Sequence, residues 1–297
     1  GGALLSFHAV MQGNFSLFCL GGFILGLHNA TWQYYRFAAA EAASASYKEK
    51  AISFVMAGGV VAAIAGPELS KHTINLFEPI YYAGCYLVIA ALCVLTFFVI
   101  QFIRIPNLTV EERKETGRPL KEIVKQPTFI VAVIAGMVGY GIMTQVMTVT
   151  PLAMKGCGFV FDDRAFVIQW HALGMFAPSF FTGNLIRRYG VRNIILTGAV
   201  AYVLSLIINL SGIEFLHFFS GLVLLGIGWN FMFVGGTTML TETYTQAERS
   251  KVQALNDFLV FSTMAISSLS AGKLQGAFGW EAVNIAVILP LSIAVIA

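Results

Sequence analysis

Long apolar runs, each close to the length that crosses a membrane, alternate with short polar gaps along the whole chain. A span needs about 20 mainly apolar residues to cover roughly 30 Å of hydrocarbon. A window of that size finds full spans near 15–40, 51–69, 80–103, 128–151, 165–186, 193–210, 215–240 and 252–272, with partial ones at 1–11 and 283–297. Pro79, Pro106, Pro119 and Pro127 flank spans, and Gly156–Gly158 and Gly276–Gly279 predict turns between them. The pattern predicts an all-α membrane protein.

The basic residues give the spans a direction. Fourteen of the 18 Lys and Arg fall in every second gap: Arg36, Lys48 and Lys50; Arg104, Arg113, Lys114, Arg118, Lys121 and Lys125; Arg187, Arg188 and Arg192; Arg249 and Lys251. The gaps between hold only Lys71, Lys155, Arg164 and Lys273. That bias marks the basic gaps as cytoplasmic. Composition agrees: 57% hydrophobic and 11% charged residues, against about 25% charged in ordinary globular domains, leave too little polar surface for a soluble particle. The net charge of +3 is therefore no sign of nucleic-acid binding, since the basic residues stand where anionic headgroups would be. The four cysteines show no metal-ligand spacing, and no disulfide is expected.

The longest polar stretch, Arg104 to Gln126, holds six basic and four acidic residues and reads as a cytoplasmic linker, with a short surface helix through Pro119–Lys125. It divides the chain into helical halves at 1–103 and 128–297. An offset of 201 positions relates them: Glu41, Lys48 and Lys50 fall on Glu242, Arg249 and Lys251, and Asn29 falls on Asn230. The chain opens at Gly1 inside an apolar run, which reads as a fragment lacking its beginning.

Two six-span halves in parallel repeat, joined by a charged linker, resemble the major facilitator layout. The run Gly183-Asn184-Leu185-Ile186-Arg187-Arg188-Tyr189-Gly190-Val191-Arg192 resembles that family's loop motif, with Arg187 in place of the usual acid. The pairs Glu41…Lys48-x-Lys50 and Glu242…Arg249-x-Lys251 are similar to its charged clusters after the fourth and tenth spans. The resemblance implies the two-fold pseudosymmetric fold with the first two to three helices missing, alternating access, and no enzyme chemistry. It also implies that the fourth, seventh and tenth helices line a cavity.

On those helices Asn29, Trp32, Gln33, Tyr140, Gln145, Trp229 and Asn230 are the candidate solute contacts. An amide in hydrocarbon needs a partner, so Asn29 and Asn230 are either solute ligands or helix–helix clamps, at even weight. His171 is expected to sit hydrated near an interface. Asp257, six residues beyond Lys251, is an acid at the edge of hydrocarbon. A gate is favoured over proton coupling there, and Arg36, Glu41, Arg187, Arg188 and Glu242 complete the gating candidates. The glycine series from Gly58 to Gly66-Pro67 resembles the family's antiporter motif.

No nucleotide-binding or metalloprotease motif is present. The reading is a proton-coupled secondary transporter of a small organic solute, monomeric, in a bacterial inner membrane, with no cofactor and no nucleic-acid partner. The lack of a basic residue deep in any span argues against strongly anionic solutes and for a neutral or weakly polar compound, aromatic ones included. The runs Tyr34-Tyr35-Arg36-Phe37 and Asn256-Asp257-Phe258 are similar to a branch that includes riboflavin importers. A general solute or drug exporter ranks ahead of that branch here, and a non-transporting sensor of the same fold is the remaining alternative.

Overall fold

The computed structural model describes residues 1–32, 35, 48–102 and 117–296. All regular structure among them is helical. The chain forms two units, Gly1–Asn107 and Leu108–Ala297.

The first unit holds α1 (Gly2–Gln12), α2 (Phe15–Trp32), α3 (Lys48–Thr73) and α4 (Ala83–Ile100). Small residues bring α1 against α2: Ser6 is fully buried beside Gly21. Phe97, Phe98 and Phe102 remain largely exposed around the end of α4, a surface suited to lipid rather than water.

In the second unit, α5 (Leu120–Ile123) precedes α6 (Pro127–Gly156), α7 (Phe161–Phe176), α8 (Ser179–Tyr189), α9 (Val191–Ser211) and α10 (Phe215–Thr241). A 3₁₀ turn at Gln246–Glu248 leads into α11 (Arg249–Ile285) and α12 (Ile288–Ile296). α6 starts with a proline in its first turn, where a missing N–H is harmless. Glu214 and His217 form a reciprocal capping box at the start of α10. Five helical stretches among the described residues are long and apolar enough to cross a bilayer: α4, α6, α9, α10 and the run Arg249–Ile296.

α6 and α10 form the centre. Val138, Ile142, Val146 and Val149 of α6 pack with Phe218, Leu222, Leu225 and Met232 of α10, and Tyr202 of α9 closes the cluster. A second cluster, around Ile123, Phe129, Ile195, Leu240 and Val252, occupies the Arg118 end. Tight approach is built into α10. A Cβ on Gly226 would lie 2.4 Å from the His171 carbonyl oxygen, and one on Gly228 would lie 2.7 Å from the Tyr202 ring. Only glycine fits at either point, so α10 can pack against α7 and α9 at backbone distance.

Three details differ from the sequence expectations. The run 165–186, expected as one span, is broken at Ala177–Pro178 into α7 and α8. Pro178 carries no N–H to continue the ladder. The turn expected over Gly276–Gly279 narrows to a corner at Gly279 (φ 80°), with helix running through Gly276. The expected surface helix near residues 119–125 is a single turn whose Ile123 is fully buried.

A candidate solute site at mid-span

Four helices of the second unit each bring an aromatic ring to one place. Trp229 and Phe233, one turn apart on α10, stack with ring centroids 5.1 Å apart and planes 14° from parallel. Tyr140 of α6 meets both edge-on, at 5.3 and 5.1 Å. Phe261 of α11 lies 5.7 Å from Tyr140, and Phe176 of α7 lies 5.9 Å from Trp229. Tyr140, Trp229 and Phe261 stand near the middles of their helices. At about 1.5 Å per residue that is mid-depth in a bilayer, where alternating-access carriers hold their solutes.

Phe176 reaches this box from the end of α7, directly before the break. Breaks in spanning helices leave carbonyls without donors unless a neighbour supplies one. Asn230, fully buried, does so: its Nδ2 donates to the Met175 carbonyl and to Ser179 Oγ, both at 2.6 Å. Its Oδ1 accepts from Thr182 Oγ1 at 2.7 Å. Of the two roles weighed for this amide, the geometry in this conformation is that of the clamp. Asn230 joins α10 to both sides of the break, while its neighbour Trp229 faces the rings.

The buried aromatic donors of this unit are satisfied unevenly. Tyr202 donates its hydroxyl to the Gly139 carbonyl at 2.6 Å, and the Trp280 indole donates to the Asn209 carbonyl at 3.0 Å. Trp229 is only 4% exposed, and its Nε1 is buried with no hydrogen-bond partner among the described residues. Leaving a buried donor unpaired costs about 1–3 kcal/mol.

The remaining candidates disperse. Gln145 donates to the Val283 carbonyl at 3.1 Å and lines an apolar groove of about 260 Å³ with Thr263, Ser267 and Pro290, on α6, α11 and α12. Asn29 is exposed on α2. Trp32 is the last described residue of that run of α2, and Gln33, Arg36 and Glu41 lie outside the described residues. His171 is not hydrated as expected: it is fully buried, with Nδ1 2.8 Å from the Leu222 carbonyl oxygen, and it links α7 to α10. The close passage at Gly226 explains the burial, since the two helices meet beside it. Asn209 is buried and donates to Asn284 Oδ1 at 2.9 Å, tying α9 to α11.

Among the gating candidates, Arg187 is engaged by Asn184 one turn back on its own helix, and Arg188 covers the Tyr189 ring. Glu242 caps α10, exposed. Asp257 is half-buried and accepts from Asn256 Nδ2 at 3.2 Å.

The main ion pair of the second unit lies elsewhere. Glu248, 1% exposed, accepts from Arg118 Nε and Nη2, both at 2.7 Å, from the Arg118 backbone at 2.8 Å and from the Thr245 amide at 2.9 Å. Arg118 Nη2 also reaches the Thr243 carbonyl at 3.1 Å, and Lys251 donates to the Arg118 carbonyl. Gly117 precedes it at φ +57°, where a Cβ would lie 2.4 Å from Glu248 Cγ, so a side chain there is excluded twice over. Sequence reasoning counted Arg118 only as linker charge and passed over Glu248. The adjacent Gly117-Arg118 was the available signal.

Arg118's side-chain hydrogen bonds, with the Thr245 amide, hold the Glu248 carboxyl well below the usual carboxylate range. A group lowered by folding stabilises above its unfolded value, about 4.3 for Glu, and loses that contribution as pH falls through the folded one. Hydrogen-exchange protection of the Thr245 amide should therefore stay level from about pH 8 to pH 5 and fall only below about pH 4. In Glu248→Gln it should be reduced across the whole range. A native profile that drops between about pH 7 and 6 would contradict the pairing.

The chain is similar to known proteins. The family model for the Major Facilitator Superfamily matches residues 1–170 and 164–297. A riboflavin transporter of Brucella anthropi, RfnT, is 46% identical over 277 residues, covering 93% of this chain and 70% of its own length. Two uncharacterised transporters of this type from Bacillus subtilis, YddS and YdeG, are 27% and 26% identical; the matches cover 81% and 90% of this chain, but 58% and 65% of those proteins. In fold, the E. coli fucose:proton symporter FucP aligns with a TM-score of 0.62 at 18% identity, over 99% of this chain and 79% of that one. An outward-facing bacterial homologue of ferroportin aligns at 0.60 with 15% identity, over 99% and 81%. With family-model matches along its length and a close relative among transporters, the chain belongs to the major facilitator superfamily: it is a multi-pass membrane transporter, not an enzyme.

Proposed function

We propose that this protein carries riboflavin, or a closely similar flat heteroaromatic, across a bacterial inner membrane by alternating access. The observation that carries the reading is the box of Tyr140, Phe176, Trp229, Phe233 and Phe261, gathered at mid-span from four helices, one of which ends there at a break. Such a box offers stacking faces for a flat ring and no fixed charge, which suits a neutral isoalloxazine. The relationship to a riboflavin transporter at 46% identity supports the vitamin reading over the general exporter ranked ahead of it on sequence. Residues 104–127 are assigned to the cytoplasmic side from the basic bias. A cysteine at Lys121 that labels from outside intact cells would overturn that side.

The direct test is radiolabelled riboflavin counterflow in proteoliposomes. Saturable exchange is expected; binding without exchange would favour the sensor, and neither would sink the reading. Proton coupling is proposed with it, and Asp257 as a gate latch rather than the carrier, because it lies within about two turns of the basic helix start. Asp257→Asn should keep counterflow while cytoplasmic cavity cysteines label faster. Unchanged labelling with complete loss of pH-driven uptake would make Asp257 the proton carrier instead.

A further inference from the structure

We propose that the indole N–H of Trp229 is the specificity donor of this site. It reads an acceptor in the plane of a flat heteroaromatic ring, a carbonyl oxygen or an imine-type ring nitrogen, and so selects such rings over hydrocarbon ones of the same shape. The inference rests on the aromatic box being the solute site.

Two observations point to it. The fold satisfies its other deeply buried aromatic donors: Tyr202 has the Gly139 carbonyl and Trp280 the Asn209 carbonyl. Trp229 Nε1, equally buried, has no partner among the described residues, although it lies at the centre of four packed helices. His171 and Asn209 each leave one atom unpaired but use the other; the indole has only this one.

The second observation is what surrounds the indole. Phe176 and Phe233, which touch its ring, carry no lone-pair acceptor, and the hydroxyl of Tyr140, which meets the ring edge-on at 5.3 Å, makes no hydrogen bond to Nε1. An aromatic face is a weak partner for an N–H. Asn230, the adjacent amide, is committed to Met175, Ser179 and Thr182 at the break. The unpaired donor therefore stands among stacking faces at mid-span, where a bound ring would place its edge. Because Nε1 is sealed from bulk solvent, the solute must part the stacked rings to reach it, and the bond forms without competition from water.

The ring and the N–H can be separated by placing benzothienylalanine at position 229 of the intact transporter, which keeps the bicycle and puts sulfur in place of the N–H. Riboflavin affinity, read by quenching of flavin fluorescence, is expected to fall about fivefold to tenfold. The melting temperature of the unliganded protein should stay level or rise, since an unpaired donor has been removed. Trp229→Phe should weaken affinity further. If the isostere binds as tightly as the native protein while Tyr140→Ala loses binding, the box stands and the donor role falls. A lower melting temperature for the unliganded isostere would also overturn it, by showing that the N–H serves the fold. If the native protein binds no riboflavin, the reading of the box falls and takes this inference with it.

Discussion

Asn230→Ala is expected to destabilise the second unit by about 2–3 kcal/mol, more than a single exposed hydrogen bond would explain. The substitution removes one side chain but strips the partner from the Met175 carbonyl and from two hydroxyls at a break that has no other described donor to the carbonyl. Thermal unfolding in detergent should register it, with folded yield falling in parallel. Asn230→Asp should recover little, because a carboxylate cannot donate to the Met175 carbonyl. The contrasting outcome, normal melting with weakened riboflavin binding, would return Asn230 to the role of solute ligand. Thr182→Val gives an independent reading, since it removes one of the three bonds and should cost about 1 kcal/mol.

The second large effect is expected at the rings. Tyr140→Ala or Phe233→Ala should weaken riboflavin binding about tenfold to a hundredfold, the scale of one lost stacking face. Equilibrium titration against flavin fluorescence measures it. Phe166→Ala supplies the control: Phe166 stacks on Phe219 at 5.8 Å in a separate, partly exposed aromatic group near the start of α10. That group has the character of an interfacial anchor and should leave affinity unchanged. Equal losses at Phe166 and Tyr140 would mean that the effect comes from general loosening of the helices.

Much of this was legible in the sequence because membrane helices announce themselves by length and polarity. Tyr140 and Trp229 were named because the family resemblance puts their spans beside a cavity, and their rings meet. A hydropathy window cannot see a break that keeps its apolar composition, so α7 and α8 read as one run although Pro178 stood inside it. Nor does a repeat carry environment: Asn29 and Asn230 share a register, yet the first is exposed and the second fully buried. Glu248 was missed for the opposite reason. An acid in a polar loop looks solvated in sequence, and only the fold reveals that Arg118, 130 positions earlier, covers it.

That pairing has a mechanical consequence. Between Arg118 and Pro127 the chain is held by Glu248, by Lys251, by the buried Ile123 and by the Gln126 amide on the Thr243 carbonyl. A segment pinned at so many points has no slack. Tension arriving at Gly117 is delivered at once to the foot of α6 and to the corner between α10 and α11. The last ten residues of the connecting stretch thus behave as a tow-bar rather than a tether, and inserting or deleting a residue between Arg118 and Pro127 should lower the melting temperature of the second unit.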